Sequence, residues 1–231
     1  MVIAIIVAAG SSHRFGADQP KQFVPLCGKP LIIHTLERFE TCPAVDEIIL
    51  VLSAEGEKEF QISNLGSEIS KLSRIVIGGS TRGESVRNGL LAVEASGDDI
   101  IAVHDGARPL VTSDEVTAVV SKAAQTGAAC LVAPVTDTIK SVESNLINFT
   151  VDRDRLRRAL TPQAFRSDIL KRAFDNAELS ENVTDECYLV EKLGVPISTV
   201  EGSARNIKIT RPEDLKFAEA ILSEPPALAG G

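Results

Sequence analysis

The sequence predicts an α/β protein built on an open, mostly parallel sheet flanked by helices. Three observations carry this reading. Short apolar runs rich in β-branched residues recur along the chain, as they do in strands buried on both faces. Amphipathic helical segments lie between them, the alternation that right-handed crossovers produce. The runs end in loops of small or charged residues, and open α/β sheets hold ligands beyond the carboxyl ends of their strands.

The first strand is "VIAIIVA", directly after the initial Met. "KPLIIHTLERFE" follows as a helix with Pro30 near its start, where a missing N–H is harmless. The strands "EIILVLS", "RIVIGG", "DIIAVHD" and "AACLVAP" come next, with helices at "GESVRNGLLAVEA" and "TSDEVTAVVSKAAQTG" among them. The second of these helices opens on the capping pattern Thr112-Ser113-Asp114-Glu115 and stops at Gly127. Segment 134–153, "PVTDTIKSVESNLINFTVDR", breaks the rhythm and reads as two short strands around a turn at Ser144-Asn145. A lone two-stranded hairpin is marginal in water. It must pack either on a second subunit or back on its own domain. Helices at "SDILKRAFDNAEL", "TDECYLVEKLG" and "RPEDLKFAEAILSE" complete the chain, with a strand at "PISTVEG".

A chain of 231 residues suits one domain, expected over 1–223. Segment 224–231 ends in "PPALAGG", the composition of a disordered tail or the start of a linker. Acidic residues outnumber basic ones by 32 to 24, for a net charge of −8. That balance argues against nucleic acid or an anionic membrane as the main partner. Cys27, Cys42, Cys130 and Cys187 are scattered and form no Cys-x-x-Cys pair, so neither a zinc site nor a redox motif is expected. The apolar start has no preceding Lys or Arg, unlike a secretory signal. No run approaches the ~20 apolar residues of a membrane span. A soluble, cytoplasmic protein is expected.

The first loop, "AAGSSHRFGADQPKQF", meets neither familiar nucleotide fingerprint. Five residues separate Gly10 from Gly16 and Ala17 follows, where a Walker loop needs four and then Lys. The dinucleotide pattern fails at Ser12 and His13. What remains is small residues from Ala8 to Ser12 that let a ligand approach the backbone amides, with Arg14 and Lys21 in reach. A solvated turn would read the same way. The second loop, "GGSTRGES" (78–85), places Arg82 and Ser85 at a helix start and suits a base, ribose or phosphate. The third, "HDGARP" (104–109), puts Asp105 at a strand end, able to hold a metal or a substrate hydroxyl, or simply to pair with Arg108. The fourth, "TVDRDRLRRALTPQAF" (150–165), is dense in Arg and could be a solvated helix face. The fifth, "RNIKITRPED", sets Lys208 in a short strand before a capped helix.

In this order and over most of the chain, from about Ile3 to Ile221, these loops resemble the 2-C-methyl-D-erythritol 4-phosphate cytidylyltransferases. The resemblance implies a Rossmann-like nucleotidyltransferase sheet with a protruding β-hairpin as dimerisation arm. It implies CMP transfer from CTP to the polyol phosphate, with Mg²⁺ held mainly by the CTP phosphates and no protein metal site. By likeness, Ala8, Ala9, Gly10, Ser11 and Ser12, together with Gly79, Ser80, Arg82 and Ser85, hold the nucleotide. Arg14 and Lys21 neutralise the reacting phosphate. Asp105, Thr138, Arg153, Thr161 and Lys208 position the polyol phosphate, and Arg14, Lys21, Arg153 and Lys208 form the catalytic set. Thr138 and Arg153 lie at the arm and could serve a neighbouring subunit's site in a homodimer. The sequence departs from the family pattern at Ser12 (usually Gly), Phe15 (Met), Ser80 (acidic) and Gly106 (Ala). Alternatives are a ribitol 5-phosphate cytidylyltransferase, a sugar-phosphate nucleotidyltransferase using another base, and a non-catalytic nucleotide-binding regulator on the same fold.

The residue chemistry is compatible with phosphate attacking phosphate. A phosphate monoester is largely dianionic at neutral pH, its second pKa being about 6, and needs no general base. The loops offer cations, while His13, His34 and His104 are scattered and no Ser-His-Asp order is present.

Overall fold

A computed structural model of the chain describes residues 1–10, 15, 20–177 and 183–224. The chain enters through β1 (Val2–Ala8) and passes a 3₁₀ turn at Lys21–Phe23. A small hairpin of β2 (Pro25–Leu26) and β3 (Lys29–Pro30) leads into α1 (Leu31–Glu40). Strands and helices then alternate: β4 (Glu47–Leu52), α2 (Ala54–Ile62), β5 (Leu72–Ile77), α3 (Arg82–Leu91), β6 (Ile100–Asp105), α4 (Ser113–Thr126) and β7 (Ala128–Pro134). The hairpin β8 (Lys140–Glu143) and β9 (Leu146–Thr150) follows, then a 3₁₀ turn at Arg153–Arg155 and β10 (Arg157–Arg166). The chain closes with α5 (Ser167–Asp175), α6 (Glu186–Lys192), β11 (Ser198–Glu201) and α7 (Pro212–Ser223).

Seven strands form one sheet in the order β11-β7-β10-β6-β1-β4-β5. All neighbours are parallel except β10, which runs antiparallel to both β6 and β7. The chain moves outward from β1 through β4 to β5 and then returns to the other flank of β1 with β6. The strand order therefore reverses between β1 and β6, and a crevice opens at their carboxyl ends.

Alternation along the strands feeds two cores. Ala4, Ile6, Ile48 and Leu50 face α1 and α4, joining Leu36, Phe39, Val116 and Val120. Ile3, Ile5, Ile49 and Val51 face the other side, joining Val86 of α3, Leu170 of α5 and Val190 of α6. The central strands read as unbroken apolar runs because both faces are covered. The helix ends follow the local signals. Thr112 and Glu115 form a reciprocal capping box, and Gly127 closes α4 at φ 88°, a left-handed conformation that suits glycine.

Three expectations are revised. The Arg-rich segment is not a helix face; it becomes a 3₁₀ turn and the ten-residue strand β10. Lys208 does not sit in a strand, because 205–210 run without regular structure between β11 and α7. The helix at 83–95 ends at Leu91. The hairpin forms as expected, with Ser144 and Asn145 at φ 48° and 64°, the positive values a tight hairpin turn requires. It exposes Val142, Leu146, Ile147 and Phe149, each 56–72% accessible.

Candidate active site

A cavity of about 480 Å³ occupies the crevice between β1 and β6. Its floor is the end of β1 and the start of the next loop, Ala8, Ala9 and Gly10. The β5 exit contributes Gly79, Ser80, Arg82 and Ser85; the β6 exit contributes Asp105 and Gly106; Lys21 and Lys208 enter from their own loops. The expected residues from five separate stretches of the chain thus converge. Gly106 is tightly fitted: a Cβ there would lie 2.9 Å from both Ala8 Cβ and Ile32 Cδ1. In this chain a Cβ at that position would require Ala8 or Ile32 to shift.

Asp105 is the hub. Arg82 Nε donates to its Oδ1 at 3.0 Å, Lys208 Nζ meets Oδ2 at 2.8 Å, and Arg108 Nε stands at 3.5 Å from Oδ2, an ion-pair distance and not a hydrogen bond. Burial works to raise the Asp105 pKa, but Arg82 and Lys208, then Arg108, more than offset it and hold the carboxyl far below its usual range. Arg82 is in turn gripped by Glu186, whose two oxygens accept from its terminal nitrogens at 2.5 and 3.1 Å. Burial opposes the Arg82 charge, yet Glu186 and Asp105 push its pKa up. Three cations against two carboxylates leave this network net positive, and Lys21 adds a further charge. Lys21 Nζ donates to Ile209 O at 3.0 Å, which ties the start of the chain to the Lys208 loop.

That loop is itself held. Ile209 N–H donates to Ala107 O at 2.8 Å, and Arg108 donates to Asn206 O at 2.8 Å. Asn206, which is buried, donates to Thr161 O at 3.0 Å. On the 79–85 loop, Glu84 supplies the carboxylate. Its Oε2 accepts from Ser80 N at 2.7 Å and Ser80 Oγ at 2.5 Å. Ser85 Oγ accepts from Gly79 N at 3.1 Å and so fixes the loop rather than standing apart from it.

Thr161 is buried behind Asp105 and does not line the cavity. Its hydroxyl oxygen accepts from Asp105 N–H at 3.1 Å and lies 3.0 Å from His104 Nδ1. His104 Nε2 lies 3.2 Å from Arg108 O. A hydroxyl that donates to Nδ1 and an Nε2–H that donates to the carbonyl satisfy both contacts. Burial pulls the His104 pKa down to about 4, against the pull of Asp105. The ring is a neutral strut, not a base.

Thr138 and Arg153 lie outside the cavity. Both are exposed, and Arg153 donates to Thr136 O at 2.5 Å at the root of the hairpin. Ser11, Ser12 and Arg14 lie outside the described residues, as does 225–231. Sequence reasoning missed Glu186. It stands beside the helix-capping Asp185, and the pair reads as an ordinary acidic helix start.

With its carboxylate saturated by cations and the adjacent histidine neutral, the cleft is equipped to gather phosphates and not to abstract a proton. That is the character of a nucleotidyltransferase. Comparison with known proteins narrows the class. The model of the 2-C-methyl-D-erythritol 4-phosphate cytidylyltransferase family matches residues 2–224, and the chain belongs to that family. A cytidylyltransferase of this name from Syntrophus aciditrophicus is 41% identical over 227 residues, with 96% of each chain covered. One from Halalkalibacterium halodurans is 43% identical over 221 residues, covering 95% of this chain and 96% of the relative. The crystal structure of the 4-diphosphocytidyl-2C-methyl-D-erythritol synthase from Anaerococcus prevotii superposes with a TM-score of 0.84 at 29% identity, covering 96% of each chain.

Proposed function

We propose that the cleft between β1 and β6 is where this cytidylyltransferase moves CMP from CTP to 2-C-methyl-D-erythritol 4-phosphate and releases pyrophosphate. The observation that carries the assignment is the convergence of Ala8 to Gly10, the 79–85 loop, Lys21, Asp105 and Lys208 on one cavity at the switch point. The small-residue loops bring backbone amides to the triphosphate. The polyol's 4-phosphate attacks the α-phosphorus, and pyrophosphate departs with the electron pair of the cleaved bond. Because the nucleophile is already anionic, the barrier lies in bringing anions together and stabilising charge on the α-phosphoryl oxygens. Lys21 and Arg14 meet that charge, while Lys208, steered by Asp105, addresses the polyol phosphate.

Magnesium is the expected cofactor. Among the described residues no three His, Cys, Asp or Glu side chains converge, and both Asp105 oxygens face cations. In this reading the ion would be held mainly by the CTP phosphates, where it would neutralise their charge. A homodimer through 134–153 would cover the exposed apolar hairpin and bring Thr138 and Arg153 to the neighbouring site. Among the described residues no helix is long and apolar enough to cross a membrane.

Removing one preorganised donor typically lowers the rate by about 10²–10³. Lys21→Ala and Arg14→Ala are expected to lower kcat by at least that factor while the protein stays folded. Turnover near wild type in either variant contradicts the assignment.

A further inference from the structure

We propose that Glu186 is a positioning residue for the reaction, acting on Asp105 through Arg82. Glu186 does not line the cavity and is 1% exposed. It nevertheless binds both terminal nitrogens of Arg82, from 104 residues away in sequence. A buried carboxylate carries a desolvation penalty that only close pairing offsets, so this contact constrains Arg82 strongly.

The constraint has a direction. With NH1 and NH2 committed to Glu186, Arg82 presents Nε to Asp105 Oδ1. The opposite oxygen, Oδ2, is left to Lys208 at 2.8 Å. Glu186 thereby sets which carboxylate oxygen steers the lysine. It also offsets part of the charge of Arg82, which itself lines the cavity.

The device has its own mount. Gln163 of β10, 1% exposed, accepts from Cys187 N at 3.1 Å and donates to Asp185 at 2.9 Å. These bonds fix the first turn of α6 against the sheet and aim Glu186 at Arg82.

The test is a double-mutant cycle read in kcat/KM for pyrophosphate release, with thermal unfolding as the fold control. Glu186→Gln keeps the shape and removes the charge. It is expected to lower kcat/KM by about tenfold to a hundredfold, the scale of losses from displaced catalytic groups. In an Asp105→Asn background the same change is expected to add no more than about twofold, because residues acting as one unit are not additive. A merely structural glutamate would give independent, multiplying effects. Where Glu186→Gln does not fold, Glu186→Asp, which keeps the charge but draws it back from Arg82, enters the cycle in its place. Multiplying effects, or wild-type kinetics for Glu186→Gln beside an impaired Asp105→Asn, overturn this inference alone. Wild-type kinetics for Asp105→Asn overturn it together with the site assignment on which it rests.

Discussion

At the scale of single residues, His104 shows how the site is kept rigid. An unfolded imidazole titrates near 6.5, while burial holds the folded one at about 4. Between those values the unfolded chain binds a proton that the native chain does not, so stability falls as pH drops through this window. From pH 7 to pH 5 this residue alone accounts for about 2 kcal/mol. Urea unfolding of His104→Gln at the two pH values should show a distinctly smaller loss than wild type, and an equal loss would contradict the assignment. The loop motifs made Asp105, Lys21 and Lys208 legible as candidates. What surrounds Asp105 was not legible. The pairing of Arg82 with Glu186 spans 104 residues, and no local pattern records it. Pairing with Arg108 could be read from spacing, yet that contact is the longest of the three.

At the scale of elements, local chemistry decided more than composition. The spacing Thr112 to Glu115 named the start of α4, and the structure forms both halves of the box. Thr112→Ala is expected to cost about 1 kcal/mol, measured as a lowered urea midpoint with unchanged slope; an unchanged midpoint would mean the cap is idle. Strand β10 was the harder element. Pro162 argues against a central strand, since proline donates no ladder bond. The ladder to β7 shifts register between Ala159 and Gln163, and the proline sits inside that interruption. Arg157 and Arg158 pair with β7 yet stay exposed, whereas 160–165 are buried. A segment that is half rim and half core has no single period, which is why its pattern resembled a charged helix face. The hairpin was plain by contrast, because Ser144-Asn145 is a turn signal between two short strands.

At the scale of the whole molecule, the exposed face of the hairpin and the placement of Arg153 pose the same question. Val142, Leu146, Ile147 and Phe149 expose apolar side chains on a two-stranded element, which a second copy of the chain would cover. Arg153 stands at the root of that hairpin and outside its own cavity. In the proposed dimer, Lys21→Ala and Arg153→Ala subunits, each inactive alone, form heterodimers with one site lacking both residues and one intact. Mixing is therefore expected to restore part of the activity, and no recovery despite verified heterodimers would place Arg153 in its own subunit's site. The mostly parallel sheet and the placing of the site at strand exits followed from alternation and loop chemistry, whereas the strand order did not; contacts of the proposed dimer have no counterpart in local pattern, because they would depend on a surface of another copy. CMP transfer is decided by one assay: pyrophosphate release from CTP with Mg²⁺, comparing 2-C-methyl-D-erythritol 4-phosphate with ribitol 5-phosphate. Release that depends on the methylerythritol phosphate and far exceeds that with ribitol 5-phosphate is the expected result. No release with it, or faster release with ribitol 5-phosphate, would contradict the account.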